Sequence, residues 1–290
     1  MTDRVPAWSL AVASMLSVQV AAALSTHLFD TIGPAGTAWL RLTIGAIVFI
    51  VIRRPRVRSL SRSDAGTVFA LGVSTGLVTV AFSSAIDRIP LGTAVAIEFL
   101  GPLGVAVFHD LNPRRLVWPA LALVGVVLLT QPWHGAIDPV GVLFAVLAGC
   151  GWGTYIVLTQ RVGDRLAGLR GLSLTIPIAA LTAGIVGVPQ AAGHLSWTIV
   201  AAAAGLAVLM PVLPMSLELL ALRRLTTGAF GTLMALEPAL GLVAGAVFLS
   251  QVPDSLQVCG ITLVVAAGIG AERGGHREDR APDSPPPLIE

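Results

Sequence analysis

Four charged side chains lie inside long apolar runs of this chain: Arg41, Glu98, Glu218 and Glu237. A charge near the centre of a bilayer costs roughly 2.5–3.5 kcal/mol even on a lenient scale, so each needs a partner or a use. A buried carboxylate can exchange a proton or hold an amine. Arg41 can grip a carboxylate by a forked pair of hydrogen bonds, or it can neutralise one of the glutamates permanently, and both alternatives fit. Glu98 stands four residues before Pro102, and Glu237 directly precedes Pro238. Proline has no N–H, so the carbonyls of Glu98 and Met234 are expected to lose their helical partners. Both acids are thus expected beside locally opened backbone that can coordinate polar ligands, unless they serve to cap that backbone or to neutralise Arg41. Glu218 lies closer to the end of its run. Gly101, Pro102 and Pro238 are the candidate hinges.

Gln19, Trp152 and Tyr155 are candidate cavity-lining groups on the same logic. Tyr155 is the one tyrosine in the chain, and a buried phenol needs a hydrogen-bond partner; an interfacial anchor is its other reading. His27 closes the first apolar run and is equivocal. His109, His134 and His194 fall at loop edges near Trp or Pro, as expected at a membrane interface.

The elements that must position these groups are membrane spans. Of 290 residues, 55% are hydrophobic and 12% charged, with a mean hydropathy of +0.84. Soluble domains carry roughly 25% charged residues. About 20 apolar residues cross a bilayer as a helix, and that ruler gives ten spans, near 8–27, 34–52, 65–86, 91–109, 115–131, 139–160, 170–188, 197–220, 227–249 and 255–271. The fourth and ninth contain Pro102 and Pro238. The first resembles a signal peptide but is long enough to span and leads directly into more of the same kind, so it is expected to be retained.

All eighteen basic residues are arginine. With a cytoplasmic N-terminus, sixteen of them fall on cytoplasmic segments, Arg88 alone falls outside and Arg41 lies within a span. Such asymmetry predicts cytoplasmic termini. Residues 272–290 are polar and proline-rich and are expected to form a disordered cytoplasmic tail. Cys150 and Cys259 lie in apolar runs and read as small buried hydrophobes. The sequence contains no HExxH, CxxC, GxSxG or P-loop pattern, so neither a metal nor another cofactor is expected, and nothing in the charge pattern suggests nucleic-acid binding.

Residues 85–103 (AIDRIPLGTAVAIEFLGPL) align with 221–239 (ALRRLTTGAFGTLMALEPA) at an offset of 136, matching Ala85 with Ala221, Arg88 with Arg224, Gly92 with Gly228, Leu100 with Leu236 and Pro102 with Pro238. Five spans is an odd number, so a second five-span half enters upside down. The expected architecture is an all-α membrane protein with halves at 1–135 and 136–271. Inverted repeats of this kind let two halves exchange inward- and outward-facing shapes around a central site.

The segments PLGTAVAIEFLGPLGVAVF (90–108), PMSLELLALRRL (214–225) and FGTLMALEPAL (230–240), with SVQ (17–19), WLRLTIG (39–45) and GWGTYIVLTQR (151–161), resemble the EamA-type branch of the drug/metabolite transporter superfamily, and within it the threonine and homoserine exporters. The resemblance implies ten helices in a bacterial inner membrane and export of a small neutral amino acid, exchanged for protons. It carries over Glu98, Arg41, Glu218 and Glu237 as a polar cluster, with Gln19, Trp152 and Tyr155 as neighbours. The apolar LVTVAF (77–82) departs from exporters that carry polar aromatic residues in the third helix. Other cargoes, a different metabolite or a cationic drug, are the alternative. An intramembrane enzyme is the remote one, since it needs a nucleophile–base pair or metal set that the sequence does not offer. The chain is expected to meet amino acid, protons and lipid, as a monomer or homodimer.

Overall fold

A computed structural model of the chain describes residues 6–53, 62–108, 116–131, 133, 137–162, 169–222, 225, 230 and 233–274. Every element among them is helical. α1 (Ala7–Ser25) leads through a 3-10 turn (Thr26–Leu28) into α2 (Phe29–Arg53). Then come α3 (Arg62–Ile86), α4 (Leu91–Glu98), α5 (Leu100–Phe108), α6 (Val117–Thr130), α7 (Pro139–Val162), α8 (Leu169–Ala191) and α9 (Trp197–Ala207). A π-helical turn (Val208–Val212) joins α9 to α10 (Leu213–Leu222), followed by α11 (Glu237–Leu249) and α12 (Ser255–Gly274).

Helices are what an apolar solvent demands, because lipid offers no partner for an unpaired N–H or C=O. The hydroxyls inside them obey the same rule: Thr75, Thr79 and Ser84 on α3 each donate to the carbonyl four residues back, at 2.8–2.9 Å. Among the described residues, five stretches are long and apolar enough to cross a membrane: Ala7–Ile52, Asp64–Ile86, Pro139–Leu158, Gly171–Ala191 and Trp197–Glu218. Leu91–Val105, Val117–Thr130, Glu237–Leu249 and Ser255–Ala271 are shorter apolar helices. The first stretch has 46 residues. As a straight helix it would reach about 69 Å, more than twice the ~30 Å hydrocarbon core. It is broken at Gly33, whose φ of 70° and ψ of 165° suit glycine alone, and Pro34 then opens the next helical turn.

The packing is dominated by small residues. α2 lies along α8, α3 along α7 and α8, α4 along α11, α6 along α12, and α1 along α10 and α11. At the α6–α12 crossing Gly125 and Gly260 face each other so closely that a Cβ on either would come 2.6 Å from the other's carbonyl oxygen. Such approach maximises dispersion contact where no hydrophobic effect drives helices together. Phe49, Ile32, Leu91 and Ile97 fill the interior between them, while many other large apolar side chains point outward; Leu181 and Ile185 are each 75% exposed, as a lipid-facing surface requires.

That inside-out arrangement corrects one expectation. Cys150 and Cys259 are exposed on the bundle, because in this protein an apolar run does not imply an interior position. At the C-terminus α12 continues through Glu272, Arg273 and Gly274. Residues 275–290 lie outside the described residues. So do Arg4, Arg54, Arg56, Arg58, Arg114, Arg115, Arg165, Arg223, Arg224, Arg277 and Arg280, together with His109, His134 and His276.

Candidate functional site

α1, α2, α3, α4, α5, α7, α8, α10, α11 and α12 line a cavity of about 560 Å³. All seven of the polar and aromatic residues singled out from sequence, Gln19, Arg41, Glu98, Trp152, Tyr155, Glu218 and Glu237, line it, and so does Pro102. Gly101 and Pro238 are not among its lining residues.

Arg41 projects from α2 and is 3% exposed. Its Nη1 donates to Ser25 Oγ at 3.3 Å, and the Ser25 hydroxyl in turn donates to the Ala21 carbonyl at 2.6 Å. Ser25 thus anchors one edge of the guanidinium and leaves the other donors for the cavity. Among the described residues Arg41 makes no direct ion pair with Glu98, Glu218 or Glu237, unlike Arg88, which pairs with Asp138. Glu98 ends α4 and is 9% exposed, and Glu237 opens α11 and is 6% exposed. Glu237 stands within electrostatic reach of both Glu98 and Glu218. Glu218 accepts a hydrogen bond from Ser14 at 3.1 Å.

The prolines act differently from the expectation. Pro238 does not interrupt a helix; it lies in the first turn of α11, where its missing N–H costs nothing. Glu237 therefore sits at a helix N-terminus, whose dipole favours an anion. The Glu98 carbonyl freed by Pro102 lies against a neighbouring helix. It faces α7, where a Cβ on Gly149 would come 2.9 Å from it. Gly101 fits the same crossing: a Cβ there would overlap the Gly149 carbonyl oxygen, so close packing requires this glycine.

The deepest break falls between α9 and α10. Met210 takes extended angles, φ −163° and ψ 112°, within the π-helical turn, and Met210 and Pro211 both line the cavity. Ser17 Oγ donates to the Leu209 carbonyl at 2.7 Å, and Ser14 Oγ reaches the Pro214 carbonyl at 3.1 Å. Ser17 thereby satisfies a carbonyl that the broken helix cannot, while the single Ser14 proton is shared between the Pro214 carbonyl and Glu218. Pro211 and Pro214, three apart, were the sequence signal for this break. Thr75, Thr79 and Thr175 also line the cavity; their protons are committed to their own helices, which leaves oxygen lone pairs to the cavity. A threonine in an apolar helix carries no sequence mark of such a position.

Residues 139–270 match the model of the EamA-like transporter family. The threonine/homoserine exporter RhtA of Salmonella typhimurium (strain SL1344) is 34% identical over 287 residues, covering 96% of each chain. The pseudopaline exporter CntI of Pseudomonas aeruginosa (strain UCBPP-PA14) is 27% identical over 282 residues, covering 91% of this chain and 95% of its own. A crystal structure at 19% identity superposes with a TM-score of 0.61 over 93% of this chain and 97% of that one, a likeness of fold. With a relative of that identity matched along almost its whole length, and a cavity that gathers the buried charges, the chain belongs to the EamA-like transporter family.

Proposed function

We propose that the protein is a secondary-active exporter of small neutral amino acids of the threonine and homoserine type, proton-coupled, in a bacterial inner membrane with both termini in the cytoplasm. The observation that carries this reading is the charge layout of the cavity. One arginine and three glutamates share it without a direct ion pair between the signs. A zwitterion supplies the missing counter-charges, its carboxylate toward Arg41 and its ammonium toward a glutamate. The full-length similarity to a threonine/homoserine exporter supports the substrate class.

Ten spans in two inverted five-helix halves, 1–135 and 136–271, complete the proposal. The helix pairing supports it. Taking α9 with α10 and α4 with α5 as single passages, the second passage lies against the seventh, the fourth against the ninth and the fifth against the tenth. The first against the eighth mirrors the third against the sixth. Exchanging the halves leaves this pattern unchanged, as two alternating conformations of one scaffold require. The family model also matches a stretch almost coincident with the second half. A proton reaching Glu98 or Glu237 removes the ammonium's counter-charge and favours release, and Gly101, Pro102 and Pro238 are the proposed flexing points.

Efflux of threonine and homoserine from preloaded cells tests the reading, with the wild type compared against Glu98→Gln and Glu237→Gln at matched membrane levels. Efflux that collapses in either variant supports substrate and site together. A well-inserted wild type that moves neither amino acid removes the substrate claim. The similarity to a pseudopaline exporter favours a second reading, export of another metabolite, for which pseudopaline would outcompete threonine.

A further inference from the structure

Three glutamates line the cavity, and the reading above gives the proton to Glu98 or Glu237. Glu218, on α10, is held in a different way. Ser14 Oγ on α1 lies 3.1 Å from Glu218 Oε1 and 3.1 Å from the Pro214 carbonyl oxygen, one turn earlier on α10. Ser14 is fully buried, and its single proton has both of these acceptors within reach. Three residues further along α1, Ser17 Oγ donates to the Leu209 carbonyl at 2.7 Å. Leu209 precedes the break at Met210, and Pro214 follows it. α1 thus grips the broken passage on both sides of its break, and the second grip runs through a hydroxyl that a carboxylate also claims.

Charge decides between the two acceptors. An ionised carboxylate accepts more strongly than a neutral carbonyl, so the Ser14 proton turns to Glu218 while Glu218 is ionised, and the grip on Pro214 slackens. A protonated Glu218 brings a donor of its own, which Ser14 Oγ accepts, and the Ser14 proton then turns to the Pro214 carbonyl. The one bond made or broken is the carboxyl O–H, and its proton comes from and returns to solvent. We propose that Glu218 passes the protonation state of the cavity to the broken α9–α10 passage, with Ser14 as its positioning residue, and so converts proton binding into movement of α10 against α1. This role rests on the proton-coupled export proposed above and adds the place where the proton becomes motion. The other titratable or charged side chains lining the cavity are Glu237 on α11, Glu98 on α4, Arg41 on α2 and Tyr155 on α7, and α1 carries none. Glu237 stands within electrostatic reach of Glu218. A substrate ammonium beside Glu237 therefore takes the place of the proton in offsetting the negative cluster, and substrate and proton compete as their exchange requires.

The test uses inside-out membrane vesicles carrying the full-length protein, and radiolabelled threonine. Two readouts are compared: accumulation driven by an acid interior, and exchange of threonine against threonine at equal pH on both sides. Wild type is expected to do both. Glu218→Gln, which holds the site neutral at every pH, is expected to lose accumulation and keep exchange. Ser14→Ala is expected to keep both, with the pH profile of exchange moved by roughly one unit toward higher pH, because the hydroxyl no longer favours the ionised carboxylate. A merely structural role for Ser14 would lower the rate at every pH and leave the profile in place, and that result overturns its positioning role. A Glu218→Gln protein that accumulates threonine as the wild type does overturns the proposal and leaves the export reading intact. Loss of exchange as well as accumulation would put Glu218 in substrate binding and overturns it too. If Glu218→Gln does not insert, the Ser14→Ala profile decides: a shifted profile upholds the role, and an unshifted one overturns it. A wild type that exchanges threonine without accumulating it overturns proton coupling and this role together, while the substrate claim stands. A wild type that moves no amino acid overturns the export reading and this role with it.

Discussion

The side-chain oxygen of Gln251 accepts the backbone N–H of Leu91 at 2.9 Å, so a residue just beyond the end of α11 caps the start of α4. Gln190, near the end of α8, does the same for the part of α2 beyond the Gly33 break, accepting from Ala35 and Gly36 at 2.8 and 3.0 Å. Each glutamine has a glycine cut to its shape. A Cβ on Gly245 would come 2.7 Å from Gln251 Oε1, and a Cβ on Gly33 would overlap the Gln190 side chain. Helix N-termini leave N–H groups that lipid cannot satisfy, and here the partner comes from the other half of the chain.

Replacing Gln251 by alanine strands the Leu91 N–H, which amounts to a lost N-terminal cap worth about 0.5–2 kcal/mol. Thermal unfolding of the purified protein in detergent is expected to show Gln251→Ala destabilised. Gln251→Glu, which still accepts, is expected to stay close to the wild type. Equal loss in both variants would mean that the packing of the side chain, and not its hydrogen bond, holds the two helices.

The crossing of α5 with α7 gives a graded prediction. Gly101 meets Gly149 with no room for a side chain, whereas a Cβ on Gly153 would lie 3.3 Å from the Gly101 carbonyl oxygen. Gly101→Leu is expected to cost at least the 1–3 kcal/mol of an overpacked core and to lower the folded yield. Gly153→Ala, with a contact that a small shift relieves, is expected to be far milder. Comparable yields for the two would show that the helices slide freely at this point.

Much of this site was legible because lipid makes charge conspicuous. Arg41, Glu98, Glu218 and Glu237 stand out in apolar runs, and one cavity collects all of them with Gln19, Trp152 and Tyr155. What stayed hidden had no such contrast. Ser14 and Ser17 look like ordinary small residues of α1 until the broken α9–α10 passage delivers its carbonyls to them. Pro102 and Pro238 look alike in sequence, yet one sits inside a helical passage and the other in the first turn of a helix. Local sequence states that a carbonyl loses its partner; the neighbouring helix decides whether it faces ligand or backbone. The two cysteines show the same limit, since hydropathy distinguishes lipid from water but not the lipid face from the interior.

At the bundle end where α3 stops and α7 starts, Arg88 Nη1 donates to Asp138 Oδ2 at 2.9 Å, and Asp138 Oδ1 accepts from Val140 N at 2.8 Å. These bonds, the Arg88 one foremost, hold the Asp138 carboxyl below the usual value of 3.8. A depressed folded pKa contributes stability that is present above the unfolded pKa and lost as pH falls through the folded one. The stability difference between wild type and Arg88→Ala is therefore expected at neutral pH and expected to vanish on acidification below about pH 4. The pair is solvent-facing, so the difference should be small and shrink with salt. Unfolding midpoints across that pH range check it; a difference constant with pH would assign the effect to packing of the arginine stem.

Arg41 and Ser25 supply the sharpest test of how a carboxylate is held. Ser25 ties down Nη1 of the guanidinium at 3.3 Å, which fixes the plane of the fork against the cavity. Lysine keeps the charge but offers a point donor without that geometry. Arg41→Lys is expected to raise the KM for threonine roughly tenfold or more, the loss of a charge-assisted hydrogen bond, with little change in the amount inserted. Threonine methyl ester, which lacks the carboxylate charge, separates the roles. Wild type is expected to discriminate strongly against the ester, and Arg41→Lys much less. Ser25→Ala leaves the guanidinium in place but loosens its orientation, so its KM should fall between the two. If Arg41→Lys instead discriminates against the ester as strongly as the wild type does, the fork is not what binds the carboxylate, and Arg41 acts as a fixed counter-charge to the glutamates.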